Sequence, residues 1–384
     1  MTAPATMTTL PSTVEESRTA FRAWLVERHD ELEQFRHSGG DITGVFVQLR
    51  LLQRMLFDAG WIRLGWPESL GGLGGRPILR SIVSEELAMA GYPPPFSFAT
   101  QEVLGPAVAE FARPDFGAVV LPRLLRGDET WCQGFSEPGA GSDLASLRLK
   151  AVAVDGGWRV SGEKIWTSWA QFADRCVLLA RTGSPDSAHR GISAFLLDMD
   201  TPGIKTSPLR SMNGDDEFCS LFFDDVLVPS DRLLGDVDGG WAVAMHVLAG
   251  ERGAAAWQRQ VWLRTRLSDL AAANDGVVGD GVIGEAFELL MGLRLLSRRT
   301  VRALSDGRPV GSTTSLDKLA MSTAEKFLFD SALAALGENI VYEDSGEAAA
   351  WRNDYLYSRA SSIYGGAAEI QRNIIAERLL GMPR

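Results

Sequence analysis

The sequence predicts an α+β multidomain chain: an N-terminal helical domain, a middle β domain of barrel-like or sandwich type, and a C-terminal four-helix bundle. Three observations predict it. Apolar residues recur at helical spacing from residue 12 to about 126. Alternating, β-rich runs cut by Gly and Pro turns fill the stretch from about 131 to 229. Helical periodicity then returns at Gly239-Gly240-Trp241 and holds to the C-terminal end. The domain boundaries are expected at 1–127, 128–237 and 238–384.

In the first domain, Ser12-Thr13-Val14-Glu15-Glu16 has the form of a capped helix start. VFVQLRLLQRMLFDAG (45–60) is helical and stops at Gly60. ILRSIVSEELAMAG (78–91) follows a Gly-rich break and ends at Tyr92-Pro93-Pro94-Pro95. AVAEFARPDFGAVVLPRLLRGDETW (107–131) predicts two short helices. In the second domain, Asp155-Gly156-Gly157 marks a hairpin. WRVSGEKIWTS (158–168) is expected as strand, turn, strand. Further strands lie at 175–182, 191–200 and 220–229, punctuated by Pro202-Gly203 and Asn213-Gly214. The third domain is expected to hold helices over 241–273, 281–307, 315–337 and 367–381, joined by loops short enough for an antiparallel bundle.

The bulk numbers exclude several classes. The 384 residues carry 38 Lys+Arg against 49 Asp+Glu, a net charge of −11, so nothing points to nucleic acid. No run of about 18 apolar residues spans a membrane, and the polar N-terminal stretch lacks a signal-peptide core. Cys132, Cys176 and Cys219 are isolated thiols without metal-ligand spacing, which favours a reducing cytoplasm. Four scattered histidines give no metal cluster.

The stretch with most chemistry is Ser136-Glu137-Pro138-Gly139-Ala140-Gly141-Ser142-Asp143. Pro138 presets the turn, Gly139 and Gly141 can take positive φ and admit close approach, and Asp143 suits an N-cap or turn acid. Alone it is an ordinary small-residue turn. Its place between a helical and a β domain suits a ligand. Trp166 alone reads as β core, but Thr167 and Ser168 beside it suit a flat polar ring.

WCQGFSEPGAGSD (131–143), SGEKIWTS (161–168), SLFFDDVLVP (220–229), GGWAVAM (239–245) and IYGGAAEIQRNIIAERLLG (363–381) resemble the acyl-CoA dehydrogenases in content, order and spacing. The resemblance covers essentially the whole chain. It implies a bound FAD, lined by Gln133, Phe135, Ser136, Gly141 and Ser142. Ser142 would also meet the substrate thioester arm. Trp166 would cover one flavin face, with Thr167 beside it and Ser168 donating to N5. Gly365 and Gly366 would complete the site, Gly365 giving its backbone N–H to the thioester carbonyl. The implied reaction removes an α-proton with a carboxylate and passes the β-hydride to N5. An electron-transfer flavoprotein is the implied acceptor.

Many members place the base between the tyrosine and glycine of the C-terminal block. Here that position is Gly365, which cannot take a proton. A second branch places a glutamate before an arginine on the first bundle helix, which matches Glu251-Arg252. Val243, Val247 and Glu251 share one helix face, so burial there would raise the acid's pKa. Periodicity alone also allows a surface acid; the resemblance favours Glu251 as base and Arg252 as a substrate-positioning residue. A bare Gly365 is expected to widen the cavity and admit branched or sterol-type acyl groups.

Two departures concern partners. The family's Arg-x-x-Phe-Gly segment, which reaches a neighbouring subunit's FAD, is replaced by AAANDGVVGDGV (271–282). Ala367 and Glu369 replace a threonine and a glutamine that touch FAD. The chain is expected either as a homo-oligomer or as an α2β2 assembly with a paralogous subunit. A non-catalytic partner subunit, or an oxygen-using flavoprotein of the same fold, stays open on the sequence alone.

Overall fold

A computed structural model describes residues 7, 10–36, 42–95, 98–273, 276, 278–343 and 345–383. Part of the polar N-terminal stretch and part of the 271–282 segment lie outside them. Backbone packing divides the chain into two compact units. The first comprises residues 1–80, 93–211 and 216–250, and the second 81–92, 212–215 and 251–384.

In the first unit, α1 (Val14–Glu27) starts as its sequence dictates. Thr13 accepts the Glu16 backbone N–H at 3.1 Å, and Glu16 reaches back to the Ser12 N–H at 2.8 Å. The short turn α2 (His29–Leu32) follows, then α3 (Ile42–Asp58), which ends beside Gly60 at φ 95°. Helix α4 (Pro77–Met89) opens in the first unit and closes in the second. Helices α5 (Phe98–Phe111) and α6 (Pro114–Arg126) are the two short helices expected there, and α6 stops at Gly127 in the left-handed region.

Eight strands form one sheet: β1 (Trp131–Gly134), β2 (Lys150–Val154), β3 (Gly157–Ser168), β4 (Arg175–Arg181), β5 (Ile192–Asp198), β6 (Ile204–Leu209), β7 (Phe218–Pro229) and β8 (Leu233–Leu234). Their order is β6-β7-β3-β2-β4-β5-β8, with β1 parallel to β4. Strand β4 is buried along its whole length and serves two cores at once. Val177 and Leu179 join the core of α5, α6 and α7 (Gly240–Gly250), while Cys176, Leu178 and Ala180 face the opposite core. Strand β5 repeats the alternation in register, Leu196 against Val177 and Leu197 against Cys176. The three cysteines, isolated in sequence, share this second core as free thiols. Burial pushes the Cys132 thiol up, and neighbouring Cys176 adds to it.

The expected strand–turn–strand at 158–168 is instead the single strand β3. Its pairing with β7 slips between Val160 and Gly162 and again between Lys164 and Thr167. The glycine that suggests a turn stays paired, Gly162 against Phe223, and the extra residue at this slip lies on β7, where Asp224 and Asp225 face Ser161.

In the second unit, the single helix expected over 241–273 is interrupted. Residues Glu251–Ala255 form a π turn between α7 and α8 (Ala256–Ala273). Helices α8, α9 (Asp280–Ser305), α10 (Thr314–Leu336) and α12 (Gly346–Ser358) pack around Leu263, Leu290, Leu293, Leu328, Phe329 and Trp351. The short α11 (Asn339–Tyr342) precedes α12, and α13 (Ala368–Ile374) ends in a second π turn, Ile375–Leu379. The sequence reading missed α12, whose GEAAAWRNDYLYS carries a single large aliphatic residue, Leu356, among alanines and aromatics.

Asp317 on α10 is fully buried, with both oxygens lacking a hydrogen-bond partner. Burial raises its carboxyl from 3.8 to about 6, against weaker opposing influences of Thr300 and Arg299. A carboxyl raised in the fold binds its proton more tightly there than in the unfolded chain. Its stabilising contribution is full below pH 3.8 and lost as pH rises through about 6. Asp317→Asn is therefore expected to stabilise the protein by roughly 1–3 kcal/mol at about pH 8 and by nothing at about pH 4. Urea midpoints at the two pH values measure this.

Candidate active site

The first cluster is built on β1, the turn after it and the end of β3, all in the first unit. Pro138, Gly139, Gly141 and Ser142 are exposed. A Cβ added at Gly139 or Gly141 would meet nothing within 4 Å, so the turn presents open backbone. Neither glycine takes the positive φ open to it. Their service is the missing side chain. Asp143 sits at the N-cap position of a short 3-10 turn, yet its side chain makes no cap bond.

The turn is held from beneath. Lys164 is fully buried, and its Nζ donates to the Phe135 carbonyl at 3.0 Å and to Glu137 Oε1 at 2.8 Å. Glu137 also accepts the backbone N–H groups of Arg148 at 2.7 Å and Leu149 at 2.9 Å. Burial pulls the Lys164 ammonium down to about 8, although Glu137 opposes this. The Ile165 N–H closes the join on the Ser136 carbonyl at 2.9 Å. Sequence reasoning missed this pair; the signal was a lysine at an inward position of β3.

Trp166 follows at once. It falls in the β3 bulge between Lys164 and Thr167 with φ 61°, a backbone that non-glycine residues seldom adopt, and the residue is 59% exposed. Phe218 meets the indole edge-on at 5.9 Å. A large exposed indole on a strained bulge suits a flat ligand more than a β core. Thr167 is fully buried, and its hydroxyl lacks a hydrogen-bond partner. Gln133, Ser136 and Ser168 are half-buried, whereas the Phe135 side chain is buried in the helical core. What Phe135 offers a ligand is thus restricted to backbone, and its carbonyl is already bound to Lys164. Open glycine backbone, an exposed indole and half-buried hydroxyls together fit a flat ring with a polar edge.

The second cluster lies in the second unit and centres on Gly365, at φ 62°. A Cβ built on Gly365 would stand 2.8 Å from Glu251 Oε1. Glu251 therefore holds its carboxylate where a side chain at 365 would begin. The space beside Gly365 is filled by that acid, which corrects the expectation that a bare glycine widens the cavity there. Gly366, at φ 95°, has no room either: its Cβ would fall 2.2 Å from Gln371 Nε2. Gln371 is fully buried, and its side-chain amide lacks partners. Arg252 Nε donates to the Gly365 carbonyl at 3.4 Å, at the long limit of a hydrogen bond. Burial lowers the Arg252 guanidinium, with the Glu251 charge opposing it. Ala367 caps α13 without a side-chain bond, and Glu369 pairs with Arg372 at 3.6 Å. No group of His, Cys, Asp and Glu among the described residues could hold a metal ion.

Family models for the acyl-CoA dehydrogenase N-terminal, middle and C-terminal domains match residues 15–128, 132–226 and 286–380. The acyl-CoA dehydrogenase IpdE1 of Mycobacterium tuberculosis is 36% identical over 97% of this chain and 98% of its own. The chain belongs to the acyl-CoA dehydrogenase family. Acyl-CoA dehydrogenase FadE26 of the same organism is 30% identical over 85% of this chain and 86% of its own. Among solved structures, the Tcur3481-Tcur3483 steroid acyl-CoA dehydrogenase superposes with a TM-score of 0.83 at 26% identity, covering 98% of this chain and 99% of that one. The ChsE4-ChsE5 complex of Mycobacterium tuberculosis gives 0.78 at 26% identity, covering 98% and 100%. As an acyl-CoA dehydrogenase, the protein is an oxidoreductase with the family's helical, β and helical-bundle order.

Proposed function

We propose that this chain carries out FAD-dependent α,β-dehydrogenation of an acyl-CoA thioester to the 2-enoyl-CoA, with Glu251 as the base and a steroid-derived or similarly bulky acyl group as substrate. The observation that carries it is the placement of Glu251 Oε1 2.8 Å from the empty Cβ position of Gly365. That places a carboxylate beside the backbone position whose N–H this reading gives to the thioester carbonyl, which supports Glu251 as the base. A π turn bears it, and such turns are often found at functional sites.

Bound FAD supplies the hydride acceptor. The residues that would hold it are Ser136, Gly141 and Ser142 from the turn, and Trp166 and Ser168 from β3. Trp166 would lie against one ring face, while the open backbone at Gly139 and Gly141 would let the cofactor approach closely. Glu251 takes the α-proton, and the Gly365 N–H donates to the thioester carbonyl so that negative charge can develop there. Arg252 steadies the Gly365 peptide from its carbonyl side.

The substrate class rests on the relatives, two of which are named for steroid acyl-CoA dehydrogenase activity or for a two-chain complex. The same names, with Ala367, Glu369 and the missing Arg-x-x-Phe-Gly segment, support an α2β2 assembly with a paralogous subunit. Electrons then leave to an electron-transfer flavoprotein. Among the described residues no helix is long and apolar enough to cross a membrane. Anaerobic loss of flavin absorbance is expected to be at least about tenfold faster with a steroid-derived acyl-CoA than with a straight medium-chain one. The reverse order would reject the substrate class. One FAD bound per chain by this protein alone would reject the mixed assembly.

A further inference from the structure

The second unit buries a lysine beside Glu251. Lys318 on α10 is 3% exposed, and a lysine is seldom buried without charged partners. Its Nζ donates to the Ser361 carbonyl at 2.6 Å and lies 3.9 Å from the centre of the Tyr364 ring. Its Cε stands 3.7 Å from the point where a Gly365 Cβ would be, and Glu251 Oε1 stands 2.8 Å from that same point. The lysine stem and the carboxylate thus converge on one backbone position from two elements. The charged and titratable groups facing Lys318 are Glu251 and Arg252 from the π turn, Arg259 from α8, Glu325 from α10 and Tyr364. Glu325 is already engaged by Arg259 through two hydrogen bonds of 2.6 and 3.0 Å. Glu251 is left as the carboxylate that weighs most on Lys318. Burial pulls Lys318 down to about 8, with Glu251 the largest influence holding it up.

We propose that Lys318 is a positioning residue for the dehydrogenation: its cation keeps Glu251 ionised and directed at Gly365, while its bonds to Ser361 and Tyr364 fix the segment that carries Gly365. The proposal rests on Glu251 being the base. A glutamate that is already protonated cannot take the substrate's α-proton, and a desolvated glutamate tends to be protonated. A neighbouring cation lowers basicity somewhat but keeps the acid in the reactive form. In the step itself the α C–H bond breaks and an O–H bond forms on Glu251. Lys318 neither gains nor loses a proton.

The test compares pH profiles of anaerobic flavin reduction by the FAD-loaded enzyme. Lys318→Met and Lys318→Gln are expected to move the acid limb upward by about one to three pH units, and Lys318→Arg to leave it in place. The glutamine variant can still donate to Ser361, so it decides the matter if Lys318→Met does not fold. A second readout needs no turnover. The infrared carbonyl band of protonated Glu251, identified by its loss in Glu251→Gln, should titrate upward by the same amount in Lys318→Gln. An unmoved titration would overturn the proposal. So would an equal shift in Lys318→Arg, since shape and not charge would then be the cause. Full turnover by Glu251→Gln would remove the base assignment and this proposal with it.

Discussion

Glu251→Gln is expected to slow flavin reduction by substrate by roughly 10²–10⁴-fold, with FAD binding unchanged and stability lowered, since the buried Lys318 loses the carboxylate that weighs most on it. The amide matches the carboxylate in shape, so the close approach to Gly365 at 2.8 Å from its Cβ position is kept. What goes is the carboxylate, the group proposed to accept the proton. Gly365 itself has no side chain to substitute, and a side chain introduced there would collide with Glu251. Arg252 would keep its bond to the Gly365 carbonyl, so substrate affinity is expected to change little. Single-turnover absorbance measurements separate the two parameters. A variant that reduces flavin at the wild-type rate would show that the base is another group.

Glu137→Gln carries the second large effect, a loss of roughly 3–5 kcal/mol in stability together with loss of FAD retention. Glu137 answers a fully buried ammonium and two backbone N–H groups at once. Removing its charge leaves Lys164 buried beside a neutral amide. Lys164→Met is expected to cost less, because Glu137 keeps its two backbone donors. The double variant should recover part of the loss, as replacement of a whole buried pair by apolar groups often does. The pH dependence has a definite sign. The fold releases the Lys164 proton at about 8, whereas the unfolded chain keeps it to 10.5. The wild-type fold therefore gains stability from this group as pH rises across that window, and Lys164→Met abolishes the gain. Denaturation midpoints and FAD fluorescence on release measure both effects. Equal stability of Glu137→Gln and wild type would mean that the turn is held by other bonds.

Much of the molecule was legible in the sequence because its signals are local. Thr13 and Glu16 cap α1 through bonds spanning three or four residues. Gly60 and Gly127 end helices by their own φ preferences. The alternation in β4 and β5 comes from the two-residue period of a strand. The motifs at 131–143, 161–168, 220–229, 239–245 and 363–381 likewise announced the family, because each is a short run of fixed chemistry.

Other features depend on residues far apart in sequence, and there tertiary structure decided. Trp166 reads as a strand residue, but pairing with β7 forces a bulge, and the bulge turns the indole outward. Lys164 forms its buried pair only once folding brings Glu137 and the Phe135 carbonyl over it. The helix through Glu251 loses α geometry for one turn. Nothing in ERGAA forbids an ordinary helix. Gly365 looked like a vacancy in sequence, and folding fills it with a carboxylate from 114 positions earlier in the chain. The sequence by itself determined which acid is available and which turn is open. Only the packed bundle decided that Glu251, Lys318 and Gly365 meet at one point, because that meeting depends on the register of separate helices.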